Sequence, residues 1–125
     1  MLESSIEDAV NYYASRNGFI HRKLNNQSDD GWPDRLYTSG KGEHFYIEFK
    51  RPGEKPRPLQ VYRIWTLCKM NCEVYVVDSV EEGKDVIDYY KRGRVDATPV
   101  SRASDTAYDP AVRSGPYSGS GAGKD

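Results

Sequence analysis

Two short stretches contain residue types that could do chemistry together: Gly31-Trp32-Pro33-Asp34 and Ile47-Glu48-Phe49-Lys50. Side chains alternate along a strand, so in 44–50 Phe45, Ile47 and Phe49 share one face while Tyr46, Glu48 and Lys50 share the other. The first set reads as a core face. The second sets a carboxylate beside an ammonium, roughly 6 to 7 Å apart along the backbone at the usual strand rise. Asp34 follows a proline that fixes its own φ and restricts Trp32 before it. If the two stretches pair as a hairpin, the start of one lies beside the end of the other, and Asp34 meets Glu48.

Two carboxylates with a lysine alongside suit a hard divalent cation such as Mg²⁺, which takes oxygen ligands and keeps several waters. Such a cation polarises a phosphoryl oxygen and lowers the pKa of a bound water, and Lys50 could position that water or neutralise charge developing on phosphorus. The chemistry would be phosphodiester hydrolysis. The same residues also fit a plainer arrangement. Asp34 would cap the loop, and Glu48 and Lys50 would form an exposed ion pair worth at most about 1 kcal/mol.

The elements that must position these groups are legible in the hydrophobic pattern. Ile6, Ala9, Val10 and Tyr13 recur at helical spacing over 3–16, with Ser4 or Ser5 as candidate caps and Asn17-Gly18 as a stop. Strands are expected at 19–24, at 34–39 and, most strongly, at 44–50, forming an antiparallel meander. The proline-rich segment 51–58 is a loop, and Pro58 suits the first turn of a helix running to about Met70. That helix should bury Leu59, Ile64, Trp65, Leu67 and Cys68, with Asn71 taking a left-handed turn at its end. A strand buried on both faces at 72–79 and an amphipathic helix over 80–92 complete the order. A strand-helix-strand crossover after the meander makes the fourth strand parallel to one of the others, so the fold class is α/β with a mixed sheet flanked by helices.

The 125 residues suffice for one domain, assigned to 1–92. From 93 to 125 large aliphatics give way to Gly, Ser, Pro and Asp, and a disordered or loosely packed tail is expected. With 30% charged residues and no apolar run long enough to span a bilayer, no membrane partner is expected. The acidic, polar N-terminus does not resemble a signal or transit peptide, so the expected location is the cytoplasm. Cys68 and Cys72 have neither cysteine nor histidine partners at zinc-site spacing, and buried free thiols are expected. The formal net charge is only −1, yet Lys50, Arg51, Lys55, Arg57, Arg63 and Lys69 face the single acid Glu54 over 50–69. Such a local basic excess can contact phosphates or be merely a solvated face.

The order of motifs carries a resemblance. "GWPD" followed by "IEFKRPGEKPRPLQ" resembles the PD-(D/E)XK nuclease signature. The fuller order of Glu7, Lys23, "GWPDRL", "EFK", "PLQ" and "EVYVVDS" resembles the VRR-NUC branch, over roughly residues 3 to 90. The resemblance implies a restriction-endonuclease-like αβββαβ(α) core with a mixed four-stranded sheet. It implies that Asp34, Glu48 and the main-chain carbonyl of Phe49 hold the metal, and that Lys50 is the catalytic lysine. Gln60 matches the family's glutamine beside the site, and Glu7 an acid on the first helix that approaches the metal directly or through water, with Glu3 one turn earlier as the substitute. Lys23 matches a basic position that can reach phosphate, and Arg35, Arg51, Lys55, Arg57 and Arg63 are the other candidate DNA contacts. Asn71 stands where the family commonly has glycine, a departure that touches only a turn.

Self-contained phage and bacterial members resemble Holliday-junction resolvases and commonly act as two-fold dimers, whose symmetry supplies two opposed nicks. The implied activity is a Mg²⁺-dependent (or Mn²⁺-dependent) endonuclease, a homodimer acting on four-way or other branched DNA in replication, recombination or repair. Cleavage of flap, nicked or single-stranded DNA by a monomer is the alternative within the same chemistry. A DNA-binding module without catalysis is the alternative outside it.

Overall fold

Ile6, Val10 and Ala14 fall on one stripe of the first helix, and in the computed structural model of the protein that stripe is fully buried. The structure describes residues 1–24, 30–96, 98 and 100–105. Helix α1 (Glu3–Arg16) is followed by strands β1 (Ile20–Lys23), β2 (Arg35–Thr38) and β3 (His44–Phe49), helix α2 (Pro58–Lys69), strand β4 (Val74–Val77) and helix α3 (Val80–Lys91). The sheet order is β1-β2-β3-β4, antiparallel through the meander and parallel between β3 and β4. The α/β class and the mixed four-stranded sheet are those the sequence predicts. Among the described residues no helix is long and apolar enough to cross a membrane.

The alternation in β3 sorts the molecule into two layers. Phe45, Ile47 and Phe49 are all fully buried in the larger core with Tyr37, Tyr75, Val77, Tyr90 and the inner faces of α1 and α3. Phe45 lies between Tyr37 and Tyr90, stacked on both. Tyr46 faces the other way, into a smaller cluster with Ile64, Leu67 and Val74 beneath α2.

α1 and α3 cross closely because α3 has a glycine at the crossing. A Cβ built on Gly83 would stand 2.3 Å from Cγ2 of Val10. Valine is stiff about χ1 and has little room to yield. Gly83→Ala should therefore lose stability by about 1 to 3 kcal/mol from overpacking, despite alanine's better helix propensity. A melting temperature lowered by several degrees, with the face of Glu48 and Lys50 untouched, is the expected result in a thermal unfolding experiment.

Several local expectations are corrected. α1 is capped by Leu2 with no side-chain hydrogen bond, so Ser4 and Ser5 lie inside the first turn instead of capping it. Leu59 is 40% exposed because it sits at the outer start of α2, and Trp65 and Cys68 are only half-buried. Cys68 and Cys72 are not joined in a disulfide and both are half-buried instead of buried. Asn71 takes the left-handed conformation expected of it, with φ 66°.

The stretch after Gly93, expected to be loose, contains a packed portion. Ala103, in a short 3-10 helix (Ala103–Asp105), is buried with Ile64, Leu67 and Val74, and Val100 packs against the larger core. Arg102 donates to the hydroxyls of Tyr75 and Tyr89, at 3.4 and 3.1 Å, and lies 3.8 Å from Glu73. Few aliphatics are needed to fasten it, since a guanidinium can bind buried hydroxyls whose other partners are already in place. Residues 106–125 of the expected tail lie outside the described residues.

Candidate active site

The register of the hairpin decides where Asp34 goes. Arg35 pairs with Ile47, so the next step of the same ladder sets Asp34 across from Glu48. Asp34 is 5% exposed and its Oδ2 accepts a hydrogen bond of 2.8 Å from the backbone N–H of Phe49. Its approach is fixed from behind by Gly31, where φ is +88° and a Cβ would lie 2.6 Å from the carbonyl oxygen of Leu59. Only glycine lets the turn before Trp32 rest this closely on the start of α2.

Glu48 is 1% exposed and Lys50 5%. The plainer arrangement required an exposed pair, and this one is buried. Lys50 Nζ is 3.1 Å from Glu48 Oε2, which also accepts a 2.6 Å hydrogen bond from Gln60 Nε2. Gln60 Oε1 in turn accepts from the backbone N–H of Arg57 at 2.9 Å, so one amide both closes the first turn of α2 and orients the carboxylate. Gln60 is buried under the loop and is no surface helix residue.

The other oxygen of this carboxylate is the informative one. Glu48 Oε1 is buried and has no hydrogen-bond partner among the described residues. A buried polar atom without a partner is expensive, and native structures seldom keep one without a functional reason. Burial, with the neighbouring Asp34 adding to it and Lys50 opposing it, pushes the Glu48 carboxyl up to about 8. A cation between Asp34 and Glu48 would satisfy the orphaned oxygen and remove the repulsion, so the residues fit a divalent metal. Among the described residues no three His, Cys, Asp or Glu side chains gather as a chelating set.

Glu7 is linked to this site through basic side chains. Its Oε2 accepts from Arg35 Nε at 2.6 Å and from Lys23 Nζ at 3.1 Å. Lys23 also lies 3.9 Å from Asp34 Oδ1, so it links the helix acid to the strand acid. Arg35, facing α1, is occupied by Glu7 and by His21 Nδ1 at 3.1 Å, which leaves it less available to phosphate than its position in the sequence suggests. Arg51 pairs with Glu54 at 3.6 Å, Lys55 and Arg57 are exposed on the same loop, and Arg63 lies over the Trp32 ring. Glu3 senses the site as well: burial raises its pKa, Asp34 and Glu54 add to the rise, and Lys50 opposes it.

Trp32 was missed as a site neighbour, although two signals pointed to it. It stands two residues before Asp34, and the alternation that turns Glu48 away from the larger core also turns Tyr46 to that face, where the two rings come within 6.4 Å.

No protein-family model matches the chain. Over 77 residues it is 35% identical to "Putative nuclease p44" of Acyrthosiphon pisum secondary endosymbiont phage 1, covering 62% of this chain and 83% of that protein. A solved structure described as a "VRR_NUC domain" matches with a TM-score of 0.63 at 26% identity, over 70% of this chain and 96% of the other.

Proposed function

The chain belongs to the VRR-NUC family of nucleases, and from that premise we propose that it is a divalent-metal-dependent DNA endonuclease selective for branched DNA. The observation that supports metal dependence is the buried Oε1 of Glu48, beside Asp34 and without a hydrogen-bond partner among the described residues. Asp34, Glu48 and the main-chain carbonyl of Phe49 would hold the ion. When bound, Mg²⁺ or Mn²⁺ supplies Lewis-acid polarisation of a phosphoryl oxygen and a water of lowered pKa.

The chain's own groups do the rest. The Phe49 N–H fixes Asp34, and Gln60 fixes Glu48, so neither carboxylate has to reorganise as charge develops. Lys50 Nζ, held beside Glu48, presents its positive charge to the phosphate being attacked and to the attacking oxygen. Lys23 stands between Glu7 and Asp34, where it could reach a phosphate beside the site. Lys55, Arg57 and Arg63, with Arg51 once it leaves Glu54, would contact neighbouring phosphates, a contact that positions DNA and does not read its sequence. Residues 1–92 would be the nuclease unit, and a homodimer would set two such sites about a dyad for paired nicks in a four-way junction.

Incubation of the purified protein with a labelled four-way junction, a flap and a linear duplex, each with Mg²⁺ or with EDTA, tests this reading. Cleavage of the branched substrates that stops in EDTA is the expected result, together with a dimer mass in sedimentation. Cleavage that persists in EDTA would overturn the metal assignment. A strict monomer that cuts flaps and ignores four-way junctions would replace the resolvase reading with the flap reading.

A further inference from the structure

The sheet face that carries Glu48 is covered on one side only. Among the described elements α2 and the 3-10 helix pack on β4, and neither packs on β1 or β2. Among the described residues what is only partly covered is a row of cross-strand neighbours: Arg22 pairs with Leu36, and Leu36 with Tyr46, whose ring, like that of Trp32, has one side against the Ile64, Leu67 and Val74 cluster. Glu48 lies two residues beyond Tyr46 on this face, and Asp34 two residues before Leu36. The row therefore runs beside the two carboxylates, roughly 6 to 7 Å from them along the strands.

Trp32 borders this row, its ring 6.4 Å from that of Tyr46 and tilted by 42°. Leu36, Tyr46 and Trp32 are each partly exposed, and Arg22 is exposed. The Arg63 guanidinium lies 5.1 Å from the Trp32 centroid, and its Nε is buried with no hydrogen-bond partner among the described residues. Among those residues neither Arg22 nor Arg63 has an ion-pair partner, whereas Arg35, Arg51, Arg94 and Arg102 are all paired. The acids near the far end of the face, Glu43 and Glu73, are taken up by Arg94. This surface thus combines partly exposed apolar planes with two cations that have no ion-pair partner among the described residues, beside the groups that would act on a phosphodiester.

We propose that Trp32, Leu36 and Tyr46 form a seat for an unpaired nucleobase next to the scissile phosphate, with Arg22 and Arg63 meeting the phosphates that flank it. This rests on the nuclease reading and narrows its substrate. A base inside a duplex has both faces occupied by its neighbours and cannot enter the seat. A base unstacked at a branch point can, and aromatic rings accept any base by stacking. Selection for branched DNA then comes from the free face of one base, without contacts to base edges.

The test measures binding in EDTA, so it does not depend on turnover. A flap duplex with an unpaired thymine at the branch is compared with the same DNA carrying an abasic site, the position being scanned over the nucleotides beside the branch. Wild-type protein is expected to bind the thymine form about tenfold more tightly at one position, the size of one base-aromatic stacking contact. Trp32→Leu should bind the two forms equally. Arg63→Gln, which keeps a polar group at the half-buried position over Trp32, should bind both more weakly and serves if the Trp32 variant does not fold. Wild-type indifference to the abasic site, or discrimination retained in a folded Trp32→Leu, overturns the proposal. So does a loss of dimer mass in Trp32→Leu with no change in DNA binding, which would make the face a contact between two copies. Wild-type protein that cuts branched DNA in Mg²⁺ yet ignores the abasic site refutes the seat alone. Protein that neither binds nor cuts DNA refutes the nuclease reading with it.

Discussion

Lys50→Ala should reduce cleavage of a branched DNA substrate by about 10² to 10³-fold, the usual effect of removing one preorganised charge from a transition state. Glu48→Gln and Asp34→Asn should each do at least as much, because each removes a negative oxygen from the pair that would hold the cation. Initial rates at saturating Mg²⁺, with binding to the same DNA measured in EDTA, separate the two ways of failing. If the groups act as placed here, DNA affinity stays near that of the wild type while the rate collapses. A variant at any of the three positions that cuts at the wild-type rate would remove this cluster from the mechanism. Lys50→Arg is not expected to rescue. The longer, forked guanidinium cannot fill a 5% exposed position shaped for one ammonium 3.1 Å from Glu48.

The second large effect concerns stability in the absence of metal. An unfolded glutamate titrates near its ordinary value of 4.5, whereas Glu48 in the fold titrates at about 8 because it is buried and stands beside Asp34. Between those values the folded protein holds a proton that the unfolded chain has released. The stability linked to this group is complete below the lower value and is lost as pH rises through the upper one. In EDTA the melting temperature should therefore fall by several degrees between pH 5 and pH 8.5. Mg²⁺ should flatten that fall by favouring the ionised form, and Glu48→Gln should flatten it without metal. A metal-free protein whose melting temperature rises across this interval would contradict the placement of Glu48 in a closed, low-dielectric site.

Much of this arrangement could be read from residue types. The alternation in 44–50 separates a wholly buried face from the face of Glu48 and Lys50, and the hairpin register brings Asp34 across as the pairing requires. Gln60 was placed beside the site by its match to a family motif. Its hydrogen bonds to Glu48 and to Arg57 depend on how the 51–57 loop returns, which no local pattern encodes. Glu7 and Arg35 illustrate the limit of reading charges one at a time. Each seemed free to serve metal or DNA, and the fold joins them at 2.6 Å. The packing of Ala103 was illegible for a different reason: a single small residue between Ile64, Leu67 and Val74 needs little hydrophobic signal of its own. Composition averages over such a segment and cannot register one well-placed methyl group.

The double duty of Gln60 has a consequence for how this enzyme could vary. Its carbonyl oxygen closes the first turn of α2, and its amide nitrogen steadies the Glu48 carboxylate. A chance substitution at this position would be judged twice, once by the helix and once by the chemistry, and few side chains could pass both. Glutamate could still close the turn but would bring a third negative group against Glu48, and leucine would fill the space and satisfy neither neighbour. The same economy ties activity to local order. Any fluctuation that frays the start of α2 also releases the carboxylate, so the enzyme would fall silent before the sheet beneath it had begun to come apart.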